Sequence, residues 1–436
     1  MRDRVSEILR GGFEDYRRFV NPGVAQRAEL SGEPLRVVHT DDGRLVTDDQ
    51  TMVEDFHGTQ AFGHRNPTIA SAVRAFLDSD SPSWFPSRVN PYAGSLARRL
   101  CERAGGEYGR VYFASSGTEA VEAAIKLARA TTKRPRVLSL TGAYHGCTMG
   151  SCGLMAEGVY RDPFGPHLPG LASLPFGDVA ALEAALASDD VAAVVVEPIQ
   201  VEGGVRALPR PYLEALSALT HRHGTLLVAD EIQTGLGRTG RFLASEVWPR
   251  RPDAVLLGKH LGGGLLPISA MITRTELFER AYGKDLETAE AHNCTFSGSA
   301  MVCVASHAAL DLLDDALIAR VRDVGASFRA SLTSALSGLP LFDEVRGEGL
   351  TVGVALRPSD HPWLSFEHFG LEGLGGHPTV GLLLCHRLYK RGYFCFVCGH
   401  DWRVVRLQPR FHVPEAQLEG FVAAMREELE RLCAVA

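Results

Sequence analysis

The alternation of short apolar runs with helix-length segments through the middle of the chain constrains its fold more than any other feature. Val111-Tyr112-Phe113, Val137-Leu138-Ser139-Leu140, Val191–Val196, residues 225–229 and Ala254–Leu257 read as strands. Segments of helical periodicity separate them, among them 118–130 and 210–221. Strands that alternate with helices predict an α/β fold with a mostly parallel sheet covered on both faces. A single core rarely grows beyond roughly 250–300 residues, so a chain of 436 residues predicts at least two subdomains.

The last third reads differently. Residues 300–313 and 316–336 look helical, and strand-like runs follow at 343–346 and 350–356. Another helix, a strand at Val404-Val405-Arg406-Leu407 and a helix from Pro414 onward complete an α+β pattern. Residues 361–378, rich in Gly, His and aromatics, predict a long loop. At the front, 35–55 predicts a small antiparallel unit turning at Asp41-Asp42-Gly43. The expected organisation is an N-terminal segment, 1–60, packing with a small α+β domain, 300–436, and a large domain over 61–299.

Composition narrows the function. The hydrophobic share of 45% is ordinary for a globular protein, and the net charge of −7 speaks against a nucleic-acid or anionic-membrane surface. No apolar run reaches the ~18 residues of a membrane span, and Met1-Arg2-Asp3-Arg4 leads into polar sequence rather than a signal core. A cytoplasmic location is expected. Nine cysteines lack framework spacing. Cys395-x-x-Cys398 with His400 resembles half a zinc site without a second pair, so no metal is expected.

Three segments point to chemistry. Ser115-Ser116-Gly117-Thr118-Glu119-Ala120 joins a strand to an amphipathic helix, where free backbone N–H groups make a natural phosphate seat; an ordinary N-cap reads equally well. Asp230 closes an apolar strand, and open α/β sheets bind ligands beyond the carboxyl ends of their strands; a loop carboxylate or helix cap is the alternative. Lys259 stands at the end of another apolar strand, ahead of Gly262-Gly263-Gly264. Glycines let backbone approach a ligand closely, and a desolvated lysine amine is a nucleophile.

With these residues in view, the sequence resembles the class III (ω-amino-acid type) aminotransferases of the fold type I pyridoxal-5′-phosphate (PLP) superfamily, the putrescine and ornithine branches in particular. Ser116-Gly117-Thr118-Glu119-Ala120, Ala143-Tyr144-His145-Gly146, Val196-Glu197-Pro198-Ile199-Gln200, Asp230-Glu231-Ile232-Gln233-Thr234-Gly235 and Gly258-Lys259 stand in family order. The resemblance implies a large domain with a seven-stranded sheet and PLP held by Lys259 as a Schiff base. It implies that Ser116, Gly117 and Thr118 hold the phosphate, Tyr144 stacks on the ring, Asp230 pairs with the ring nitrogen and Gln233 approaches the ring hydroxyl. Thr295 matches the threonine that reaches the phosphate of the opposite subunit, which implies a homodimer with shared sites. Arg406 matches an arginine that grips an α-carboxylate, and Glu202 a glutamate that masks it when an amine end enters.

The chain also departs from the pattern. Cys147 stands where many relatives carry an arginine for a distal carboxylate, and a thiol makes no bidentate ion pair. The stretch 56–64 is shorter than in ornithine-type relatives, and Ser297-Gly298-Ser299-Ala300 replaces the usual Gly-Gly-Asn-Pro. The expected activity is amino transfer from an amine or ω-amino acid to a keto acid such as 2-oxoglutarate or pyruvate. A lyase or aminomutase on the same scaffold is the alternative, with a non-catalytic PLP-fold subunit behind it.

Overall fold

Val191–Val196 is six apolar residues long and every one is buried, which only the interior of a doubly covered sheet allows. In the computed structural model, which describes the chain apart from residues 1, 32–35, 87–88, 284, 370–375 and 436, this strand lies within a seven-stranded sheet. In chain order the strands are β1 (Arg110–Ala114), β2 (Arg136–Leu140), β3 (Leu171–Leu174), β4 (Val191–Val196), β5 (Leu226–Asp230), β6 (Ala254–Leu257) and β7 (Ser269–Thr273). Their spatial order is β1-β7-β6-β5-β4-β2-β3. β2 to β6 pair in parallel, and β7 runs antiparallel to both β6 and β1.

Small side chains bring helix and sheet together. The helix Gly117–Thr132 buries Ala120, Val121, Ala124, Leu127 and Ala128, a stripe at i, i+3, i+4 spacing, against Val137, Ala193, Val195 and Val228 of the sheet. It ends where Lys133 takes a left-handed conformation, φ 60°, as helix C-termini commonly do. The chain divides into two compact units, one of Pro67–Ala319, the other of Met1–Asn66 with Arg320–Ala436. The seven-stranded sheet belongs to the first, as does the helix Ala300–Leu312.

The second unit has its own core, in which Phe56, Phe328, Leu332, Val354, Val405, Phe421 and Met425 are buried together. An antiparallel sheet runs Phe342–Glu348, Thr351–Leu356, Val404–Leu407, Phe396–Val397. A second sheet joins Val37–Asp41, Arg44–Thr47, Met52–Asp55 and Tyr393–Phe394. Asp42 and Gly43 both have positive φ, the signature of a type I′ hairpin; Leu35, at the start of the expected unit, lies outside the described residues. Of the expected loop 361–378, two helical turns, Pro362–Leu364 and Glu367–Phe369, are described, and 370–375 lie outside the described residues.

Candidate active site

The carboxyl ends of β1, β2, β4, β5 and β6 deliver the polar residues of the Pro67–Ala319 unit to one cavity of about 290 Å³. From β1 the chain enters the helix Gly117–Thr132. Glu119 folds back to accept from the Ser115 N–H and the Ser116 hydroxyl, both at 2.9 Å. That contact takes up Ser116 on the helix side, and Gly117 and Thr118 line the cavity at the helix N-terminus. A Cβ on Gly117 would come within 2.9 Å of Ile232 Cδ1, so any side chain there would have to push Ile232 aside. The Thr118 hydroxyl is shared with those of Thr148 and Ser151, at 2.7 and 2.6 Å.

After β2, Tyr144, His145, Gly146 and Cys147 form one wall. Gly146 has φ +114°, and a Cβ there would overlap Thr118 at 2.5 Å. The Tyr144 N–H donates to Glu197 Oε1 at 2.9 Å, and its phenol meets the Cys147 thiol at 3.3 Å. Burial, together with that thiol, pushes the Tyr144 phenol up. His145 is buried and its Nδ1 lies 2.7 Å from Asp230 Oδ2. His145 Nε2 is buried without a hydrogen-bond partner among the described residues, a polar atom open to a bound group.

Glu197 leaves β4 and Asp230 ends β5. Because Val196 pairs with Ala229, the two carboxylates sit on neighbouring strands at the same level. Asp230 Oδ1 also accepts the Ile232 N–H at 3.1 Å, and the Gln233 amide donates to Glu202 at 3.3 Å. Lys259 follows β6 and lines the same cavity. It takes φ +47°, a left-handed conformation uncommon outside glycine and found where surrounding structure over-determines the backbone. Below the cavity, Glu231 accepts from Ala244 and Ser245 N–H at 2.6 and 2.8 Å; burial pushes its carboxyl up to about 7.

Gly117, Thr118, Tyr144, Cys147, Asp230, Gln233 and Lys259 therefore meet in one place, and Glu202 reaches it through Gln233. Thr295 does not line this cavity. It is exposed, in a second hollow of about 240 Å³ with Trp84, Phe85 and Asn90. Arg406 belongs to the other unit, buried on the strand Val404–Leu407 between Gly353 and Phe396. Two residues to which the sequence alone assigned no role, His145 and Glu197, hold the wall and the strand-end carboxylate. The signal for Glu197 was a charged residue directly after a run of six apolar ones; His145 carried none.

Known proteins share the family and the fold. The family model for class III aminotransferases matches residues 28–429. The aminotransferase PigE of Serratia sp. (strain ATCC 39006) is 32% identical over an alignment 464 positions long that covers 96% of this chain and 53% of that protein; the chain spans about half the length of this relative. An ornithine aminotransferase from Toxoplasma gondii ME49 superimposes with a TM-score of 0.82 at 27% identity, covering 97% of this chain and 95% of that one. An amine transaminase from an uncultivated Pseudomonas species gives 0.78 at 27% identity, over 91% and 94%. A match that runs almost end to end, on a fold type I scaffold, places the chain among the class III aminotransferases: it belongs to that family.

Proposed function

We propose that the chain is a PLP-dependent aminotransferase that moves an amino group from an amine or ω-amino acid to a keto acid such as 2-oxoglutarate or pyruvate. The observation that carries this reading is the meeting of Lys259, Asp230, Tyr144 and the Gly117 turn in one cavity at the carboxyl ends of the sheet. The cavity fits the cofactor. Gly117 and Gly146 leave room that a Cβ would fill, a helix N-terminus faces that room, and a buried carboxylate stands at a strand end beside an unpartnered histidine nitrogen.

In this reading, backbone N–H groups at Gly117 and Thr118 and the hydroxyl groups around them bind the phosphate. Tyr144 packs its ring on the pyridine face. Asp230 holds the proton on the ring nitrogen, and Gln233 is oriented by Glu202 toward the ring hydroxyl. When bound, PLP supplies an electron sink for the carbon that loses its proton. Lys259 Nζ would hold the cofactor covalently and, as a free amine, would take the proton from the donor carbon and hand it on to the cofactor carbon beside the pyridine ring. Arg406 is assigned to the acceptor's carboxylate and Cys147 to the donor's distal end; both roles rest on family position.

A homodimer and a cytoplasmic setting belong to the same proposal. Supporting the first, the hollow that holds Thr295 is rimmed by exposed Trp84, with exposed Phe296 next in the chain, apolar surface of the kind a partner subunit covers. Supporting the second, no disulfide links the nine cysteines, as in reduced compartments. The reaction is tested one half at a time. A donor amine added alone should leave pyridoxamine phosphate on the protein, and a keto acid added next should restore PLP. Conversion of the amine with no pyridoxamine phosphate formed would assign the protein to lyase or mutase chemistry instead.

A further inference from the structure

Two carboxylates leave adjacent strands together at the floor of the cavity. Glu197 and Asp230 are each 4% exposed, and the register Val196↔Ala229 sets them side by side. Two buried carboxylates so placed do not both ionise cheaply, because each opposes the charge of the other in a medium that screens it poorly. Bonding decides which keeps the charge. Asp230 is met by the Ile232 N–H at 3.1 Å and by His145 Nδ1 at 2.7 Å, an imidazole that can carry a positive charge against it. Glu197 is met only by neutral donors, the Tyr144 N–H at 2.9 Å and the Val201 N–H, and no cation pairs with it among the described residues.

The surroundings of Glu197 point the same way. Asp230 faces it from the end of β5, Glu202 from the turn after Ile199–Gln200, and Tyr144 and His145 from the loop after β2. Lys259 lines the same cavity from the end of β6. Burial first, and the Asp230 charge second, push the Glu197 carboxyl well above the usual range.

We propose that Glu197 is a positioning residue that works in its un-ionised form. Its carboxyl fixes the loop that presents Tyr144 and His145, and its neutrality spares Asp230 a second negative charge on the neighbouring strand. The consequence for the cofactor rests on the PLP reading above; the protonation state does not. An Asp230 that shared its charge with a second ionised acid would be a weaker, less directed partner for a cationic ring.

The test uses the full-length protein stripped of PLP. Wild type minus Glu197→Gln should give, at pH 7, the infrared carbonyl band of an un-ionised carboxylic acid. Glu231 contributes a band of its own, common to both proteins, and cancels. In Asp230→Asn, with the neighbouring charge removed, the midpoint at which the Glu197 band disappears should fall by about one pH unit or more. PLP affinity supplies the second readout. Glu197→Ala should bind PLP at least about tenfold more weakly, since it leaves the Tyr144 N–H without its acceptor, while Glu197→Gln should restore affinity to within about threefold of wild type.

A missing difference band at pH 7, or a band that titrates in the ordinary carboxyl range and ignores Asp230→Asn, overturns the proposal. So does a Glu197→Ala protein that binds PLP as tightly as wild type. If the glutamine variant does not fold, wild type against Asp230→Asn still reads the band through its shift. The band is measured without cofactor, so its absence leaves the PLP reading standing; a wild type that shows the band and binds no PLP refutes only that reading.

Discussion

The carboxylates at the strand ends of one unit and those buried in the other are held in opposite ways. In the unit that joins both ends of the chain, each buried carboxylate is matched to a cation. Arg410 reaches both oxygens of Glu54, at 2.9 and 3.4 Å, and Glu428 takes Arg387, Arg391 and Arg431 at 2.6, 3.0 and 3.0 Å. In the Pro67–Ala319 unit, Glu197 and Asp230 sit side by side, no arginine among the described residues lines their cavity, and a histidine nitrogen beside them is left over. Charges that hold a fold are satisfied by each other; charges that serve a ligand are held short of satisfaction until it arrives. Burial alone therefore does not locate an active site, and the state of the partners does.

That contrast can be broken at either end. The largest effect on stability is expected at the matched pair. Glu54→Ala leaves Arg410 buried without its carboxylate and should cost about 3–5 kcal/mol of folding stability, measured by denaturant unfolding, with turnover per folded molecule unchanged. A smaller loss of stability accompanied by a large loss of turnover would place Glu54 in the catalytic machinery instead. Asp230→Ala should do the reverse. It relieves the crowding with Glu197 but leaves His145 Nδ1 and the Ile232 N–H without their acceptor, so stability changes less than at Glu54, while turnover with saturating PLP falls on the order of 10²–10³-fold, the scale for removing one preorganised electrostatic group.

A third expectation sharpens the comparison through pH. His260 is buried and donates toward the Gly235 carbonyl at 3.1 Å; burial, and then Arg238, push its pKa down to about 3. The native protein refuses a proton that the unfolded chain accepts below about 6.5, so His260 makes stability fall as pH drops through that value. Between pH 6.5 and 5 its share is about 2 kcal/mol. His260→Gln, which cannot take up the proton, should flatten this part of the pH–stability curve whatever its stability at neutral pH. An unchanged slope would mean that His260 is charged in the native state. The smallest effect concerns specificity. Cys147→Arg should shift the ratio of kcat/KM for ω-carboxylate over neutral or cationic donors by about tenfold, read in the donor half-reaction.

Much of the sheet was legible in the sequence because parallel strands buried on both faces appear as unbroken apolar runs. β4 and β6 match the expected runs residue for residue. β3, Leu-Ala-Ser-Leu at the sheet edge and only half-buried, lacks that signal. β7, Ser-Ala-Met-Ile-Thr, is central yet bounded by polar residues that alternation does not flag. The turn at Asp42-Gly43 was legible from chemistry, since both residues tolerate positive φ. At the site, the strand-end positions of Lys259 and Asp230 could be read one strand at a time. The pairing of Glu197 with Asp230 could not, because it depends on which strands are neighbours, and β4 and β5 are separated in sequence by a whole helix, Arg210–Arg222. His145 was equally hidden: its partner lies 85 residues away.

The central claim is that Lys259 carries the cofactor. The most direct measurement is borohydride reduction of the PLP-loaded protein followed by proteolysis and peptide mapping. The account predicts a single pyridoxyl label, on Lys259, absent from Lys259→Ala. A label on any other lysine, or none in a protein saturated with PLP, would contradict it.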